Sequence, residues 1–173
     1  IFDLDPTAKR RDNRRYLTLV SHDNYLYDRL TAIETLRVWS RLLGRDTRDE
    51  TLMALLERVD LQEAHATRTS AFSAGMRKRL TLLRAHLEEP WLVLMDEPFA
   101  ALDPPGQALI ERWIRDFLAR GVTVVLASHA LQRAAALCDR AFVLRRGQVV
   151  WTGPASRLDH EALHAPLSEV AAS

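Results

Sequence analysis

The chain has 173 residues, 47% of them apolar and 27% charged, with a formal net charge of +1. A chain of that length buries roughly 70% of its unfolded surface, enough for one core and a small subdomain. The near-neutral balance argues against a global field for nucleic acid or anionic membrane. The single Cys138 excludes an internal disulfide framework and fits a reducing compartment. The longest apolar runs, Trp91–Met95 and Val122–Ala127, are too short to cross a bilayer, and no signal peptide is read at the start. Basic residues are almost all arginine, with lysine only at Lys9 and Lys78.

In chain order, Ile1–Asp5 reads as the remnant of an edge strand and Lys9–Arg15 as a solvated charged turn. Tyr16–Val20 reads as a short strand leading to Ser21-His22-Asp23. Thr31-Ala32-Ile33-Glu34 is a capping box. The helix it starts is predicted to reach Leu43 and stop at Gly44, with Ile33, Leu36, Trp39, Leu42 and Leu43 at helical spacing and assigned to the core. A second helix over about Asp49–Val59 places Leu52, Leu55, Leu56 and Val59 on one face. Ser73 is positioned to cap a third helix that Pro90 ends. Leu92–Pro98, an apolar run closing on Asp96-Glu97, reads as a fully buried strand of a parallel sheet. Asp103 followed by Pro104 caps a helix to Arg120, with Gly121 behind it. Val122–Ala127 reads as another buried strand, with His129 at its carboxyl end. Ala130–Asp139 reads as a helix with Cys138 as a small buried apolar residue. Ala141–Arg145 and Gln148–Thr152 flank Arg146-Gly147 as a hairpin.

Three features carry chemistry. Two adjacent carboxylates at a strand end are costly unless they meet a cation, a proton or a reacting water, and ligands of open α/β sheets sit at that end. One carboxylate for Mg²⁺ and one for a nucleophilic water is a minimal set for hydrolysing a nucleoside triphosphate; the alternative is a strand leading into an acidic turn. Ser73-Ala74-Gly75 joins a favoured N-cap to residues small enough for a phosphate to approach; the alternative is a plain helix cap. His160-Glu161-Ala162-Leu163-His164 matches the His-Glu-x-x-His zinc pattern. Pro166 truncates that helix and only Glu169 follows as a third ligand, so the segment is read as a polar tail rather than a protease site.

Four segments in order, Ser73-Ala74-Gly75-Met76, Asp96-Glu97, Ala101-Leu102-Asp103 and His129, resemble the signature loop, Walker-B pair, D-loop and switch histidine of the ATP-binding cassette (ABC) ATPase family. The resemblance covers about Leu17 to Gly153. It implies an α/β fold of the P-loop NTPase type, a mainly parallel sheet flanked by helices with an inserted helical subdomain. On that basis residues 1–30 and 88–153 form a partial ATPase core, 31–87 the helical subdomain and 154–173 a helical tail.

The same resemblance implies ATP and Mg²⁺ as ligands. Asp96 would hold the metal, Glu97 would act as general base, and His129 would contact the γ-phosphate. Ser73, Ala74, Gly75, Met76 and Asp103 would meet nucleotide bound by the opposite subunit of a head-to-tail pair. His22 stands where the family carries a glutamine directed at Mg²⁺ and water, and Ala74 where it usually carries glycine. The family's phosphate loop, Gly-x-x-x-x-Gly-Lys-Ser/Thr, does not occur. The expectation is an N-terminally truncated ABC ATPase, inactive as given, whose intact form powers an exporter. Its partner would be an integral membrane subunit, docked near Asn24–Arg29 at the cytoplasmic face of the inner membrane, with no nucleic acid. His22 and the Gly106-Gln107 helix start favour haem export for cytochrome c maturation. General or multidrug export is the alternative, followed by a non-transport ABC ATPase or a catalytically silent fragment.

Overall fold

The computed structural model describes residues 16–21 and 26–158 and divides into two compact units, Ile1–Ala127 and Ser128–Ser173. In the first unit, β1 (Leu17–Val20), β2 (Leu92–Asp96) and β3 (Thr123–Ala127) form a parallel sheet in the order β1-β2-β3. The register aligns Leu19 with Leu94 and Val125, and Val20 with Met95 and Leu126. Aligned residues share a face, so the two sides of the sheet can be read separately. Val20, Val93 and Met95 are at most 2% exposed, and two of the helices introduced below pack on strands of this sheet, one on β1 and one on β3. The other side carries Leu19 and Val125, 55% and 52% exposed.

The central strand is thus buried at Leu92, Val93 and Met95, but Leu94 on the open side is only half-buried, so the fully buried strand expected from the apolar run is found on one face. β3 departs from expectation. It has one strand neighbour among the described residues and one open face, so its pattern alternates between half-buried and exposed. An apolar run records only what a strand tolerates, not how much is packed on it.

The helices follow their local signals closely. α1 (Ala32–Leu42) begins with a complete capping box: Glu34 N–H donates to Thr31 Oγ1 at 3.3 Å, and Thr31 N–H donates to Glu34 Oε2 at 2.8 Å. It ends before Gly44, whose φ of +67° glycine alone adopts freely. Leu36 and Trp39 are buried, but Leu42 is 78% exposed and Leu43 half-exposed, because the last turn runs past the core it packs on. α2 (Asp49–Glu57) buries Leu52 and Leu56, with Val59 completing the stripe just beyond its end, while Leu55 is only half-buried. α3 (Ala74–Glu88) is capped by Ser73 and lies against β1; it terminates at Glu89, left-handed at φ 47°, before Pro90. α4 (Pro104–Ala119) lies against β3 and buries Leu109, Ile110, Trp113, Ile114 and Phe117 along one stripe. Each such side chain removed from water contributes about 1.5–3 kcal/mol.

In the second unit, β4 (Arg140–Arg145) and β5 (Gln148–Pro154) pair antiparallel. Arg146 and Gly147 both have positive φ, 51° and 79°, the two-residue turn that suits strand twist. α5 spans only Leu131–Ala135, not the longer helix predicted to Asp139. Asp139 is engaged elsewhere: its carbonyl accepts from Ala155 N–H at 3.0 Å and ties the hairpin's far end to the chain before it. Cys138 is half-buried rather than enclosed, and its thiol is pushed up first by burial and then by the Asp139 charge. No helix among the described residues is long and apolar enough to cross a membrane. The readings of Ile1–Asp5, Lys9–Arg15 and the 160–164 zinc pattern lie outside the described residues, as does all of the tail beyond Leu158.

Two measurements check this account. Asp103→Ala removes the carboxylate that accepts Gly106 N–H at 3.0 Å and should cost about 1 kcal/mol, with Asp103→Asn keeping most of it; urea midpoints give both values. The second concerns His86, whose Nε2 accepts from Arg58 Nη1 at 2.9 Å and whose ring stands edge-on to Trp113 at 5.4 Å. Burial, then the Arg58 charge, pushes its pKa down from 6.5 to about 4. Between those values the unfolded chain binds a proton that the folded chain refuses. The contribution of His86 to stability is therefore full above pH 6.5 and is lost as pH falls toward 4. His86→Gln should narrow the drop in urea midpoint between about pH 7 and about pH 4.5.

Candidate functional site

β2 ends in Asp96, exposed and, two residues beyond Leu94, on the open side of the sheet. Glu97 turns the chain sharply, with φ +45°, a left-handed conformation that costs a non-glycine residue about 1–2 kcal/mol. Its N–H donates to Ala127 O at 2.9 Å, extending the β2–β3 pairing by one step before the chain leaves the sheet. Pro98 and Phe99 are buried beneath the turn. Ala100 N–H closes it on Glu97 O at 3.2 Å, and Ala101 is left-handed again at φ 59°. Asp103 then caps α4. The seven residues from Glu97 to Asp103 therefore contain two strained positions, which persist only where surrounding contacts impose them.

The first two turns of α3 supply those contacts. Ser73 Oγ accepts from Met76 N–H at 3.2 Å, which leaves its own O–H able to donate outward, and helix-opening amides of this kind are a natural anion site. Gly75 lies against the turn so closely that a Cβ there would stand 3.2 Å from Leu102 Cδ2 and 4.0 Å from Ala101 O. Three residues on, Lys78 is 4% exposed and its Nζ donates to Glu97 O at 2.6 Å and Ala100 O at 3.2 Å. Burial lowers its pKa while the charges of Glu97 and Asp96 pull it back up. Arg79 pairs with Asp103 at 3.6 Å and with Asp60 at 3.9 Å.

The residues singled out in the sequence fall into three groups. Ser73, Ala74, Gly75, Met76, Asp96, Glu97 and Asp103 all belong to the first unit, on or beside one turn. His129 is exposed and opens the second unit, with its carbonyl accepting from Leu131 N–H at 3.0 Å. His22 lies outside the described residues. Lys78 is not among the residues that the sequence singles out. The signal for it was present: Gly75, Lys78 and Arg79 stand at i, i+3 and i+4 of a capped helix and so share one face.

As a metal site the arrangement suits a hard cation that brings most of its own ligands. Among the described residues no group of three or more His, Cys, Asp or Glu side chains could hold a metal. Of the two exposed carboxylates beside the turn, Asp103 is engaged by the α4 cap and Arg79, which leaves Asp96 as the one that could meet a cation such as Mg²⁺, an ion that keeps several waters and takes phosphate oxygens when it accompanies a nucleotide.

Comparison with known proteins places this geometry. The ABC transporter family model matches residues 2–100. Three curated relatives named Nod factor export ATP-binding protein I are similar: that of Neorhizobium galegae, 34% identical over 98% of this chain and 50% of its own length; that of Rhizobium etli, 36% identical over 94% and 52%; and that of Rhizobium johnstonii, 37% identical over 91% and 51%. The chain thus spans about half the length of the curated relatives it matches. A solved ATP-binding subunit of an ABC transporter superposes with a TM-score of 0.72 at 29% identity, covering 82% of this chain and 60% of that one. The structure of cbiO1 from Clostridium perfringens, described as part of the ABC transporter complex cbiONQ, shares the fold with a TM-score of 0.65 at 23% identity, covering 83% and 59%. With an α/β parallel sheet, the capped serine loop and the acidic turn in family order, this chain belongs to the ABC transporter family of ATPase domains.

Proposed function

We propose that the chain is the part of an ABC exporter's ATPase subunit that carries the hydrolytic carboxylate and the loop that reaches a second copy. One observation supports this above others. The serine-capped start of α3 and the acidic end of β2 are joined through a single turn, by Gly75 against Leu102 and Lys78 on Glu97 O.

In this reading Glu97 accepts a proton from the attacking water as general base. Asp96 holds Mg²⁺, which when bound neutralises charge on the transferred phosphoryl group. The Ser73 hydroxyl and the amides of Ala74 and Gly75 face the terminal phosphate of ATP held by a partner copy, so two copies pack head to tail. Asp103 lies where its cap and the Arg79 pair fix the loop approaching that partner. By its place in the family order His129 is assigned the γ-phosphate of the nucleotide on which Glu97 acts, and His22 stands at the family's glutamine position, where its imidazole offers nitrogen rather than the oxygen that Mg²⁺ prefers. The intact protein works from the cytoplasmic face of the inner membrane through an integral membrane subunit, and no nucleic acid takes part.

For cargo, general export is favoured over haem. The haem reading leans on His22, outside the described residues, and on Gly106. A Cβ at Gly106 would stand 2.7 Å from Asp103 Oδ1, so the helix cap itself accounts for glycine there. The relatives are named for Nod factor export, which supports an exporter and not haem as the cargo.

The test is turnover by the full-length protein. Glu97→Gln should lower the ATPase rate by about 10²-fold or more while ATP still binds. Should the complete wild-type protein be no faster than that variant, the assignment fails.

A further inference from the structure

We propose that Lys78 is a positioning residue that fixes the carboxylate-bearing turn at Glu97 to the helix begun by Ser73. The inference rests on the ATPase reading above, in which Glu97 is the base. Its observations are local and independent of any cofactor. The Lys78 ammonium is 4% exposed and spends its donors on two backbone carbonyls of one turn, Glu97 O at 2.6 Å and Ala100 O at 3.2 Å. That turn contains a left-handed Glu97 and is followed by a left-handed Ala101, neither of them glycine. Left alone, such residues relax toward right-handed or extended backbone, and relaxation would swing the Glu97 side chain away from the strand end.

Lys78 does not act alone on this face. Gly75 sits against Leu102 one turn earlier, and Arg79 pairs with Asp103 one residue later. The three residues grip the beginning, middle and end of the segment from Glu97 to Asp103. The grip is rigid along the helix, because Ser73 and Lys78 are separated by little more than one turn of a hydrogen-bonded rod. Displacement of the serine loop therefore carries the Glu97 turn with it, which couples the loop serving one nucleotide to the base serving another.

A buried ammonium is an expensive way to secure a fold. Burial alone lowers its pKa, and an apolar side chain of similar length would be spared that desolvation, which offsets the two carbonyl hydrogen bonds it could not make. Glu97 O would still accept from Ala100 N–H, so the turn would keep one closure and lose its anchor to α3. What the ammonium adds over methionine is directional restraint of the backbone under Glu97.

The experiment uses the full-length protein and the variants Lys78→Met and Lys78→Gln. Expected for Lys78→Met are an unchanged or higher urea midpoint, an unchanged KM for ATP, a kcat lowered roughly 10–100-fold, and faster amide hydrogen exchange at Ala100. Lys78→Gln, which keeps N–H donors, should recover part of both kcat and protection. Unchanged exchange at Ala100 overturns the inference. So does a kcat that falls only in step with the urea midpoint and is not recovered by Gln. Absence of ATP hydrolysis in the wild-type protein removes the functional reading beneath it, a result distinguishable from unchanged exchange alongside normal wild-type turnover.

Discussion

The arrangement of this domain depends on how an ammonium group taken out of water is satisfied. Lys78 has no carboxylate within its hydrogen bonds. It is satisfied by carbonyl oxygens, and both belong to the turn that follows the acidic pair. A desolvated cation hydrogen-bonded to carbonyl dipoles, with the Glu97 and Asp96 charges acting on it without a hydrogen bond, demands that those dipoles be held in place. The strained backbone at Glu97 and the packing of Gly75 on Leu102 are what that demand looks like locally. Strand end, turn and helix start become one object as a result.

Around that object the rest of the first unit is conventional in its physics. Caps at Thr31, Ser73 and Asp103 fix where three helices begin. Buried stripes on α2, α3 and α4 fix what they pack on. The sheet places β2 between two parallel neighbours, so Asp96 emerges at the carboxyl edge where ligands of α/β folds collect. The cation network near His86 is a separate matter. Arg58 lies 4.7 Å over the Trp113 ring and 3.6 Å from Asp116, and with its bond to His86 it joins α2, α3 and α4.

Much of the fold could be read from the residues because it is set by local rules. The capping box at Thr31, the serine cap at Ser73, the Asp103-Pro104 start and the Arg146-Gly147 turn all appear within a residue of expectation. The failures share a cause. The exposure of Val125 and Leu42 depends on what lies across from them, and a one-dimensional apolar pattern holds no such information. Helix α5 gives way after Ala135 to a chain whose Asp139 carbonyl accepts from Ala155, a partner sixteen positions away that no local pattern announces. At the site, the acidic pair and the serine loop stood out as unusual residue types in unusual places. Lys78 did not, since a lysine in a basic helical turn reads as surface until its burial is seen. The left-handed backbone at Glu97 has no residue-type signal at all.

The shortage of lysine has a practical consequence. Lys78 is the only lysine among the described residues, and it is almost wholly enclosed. Primary-amine chemistry therefore has no accessible handle anywhere on that surface: acylating dyes, amine crosslinkers and acetylating enzymes all meet guanidinium groups instead. Labelling of this amine becomes a report on opening of the turn itself.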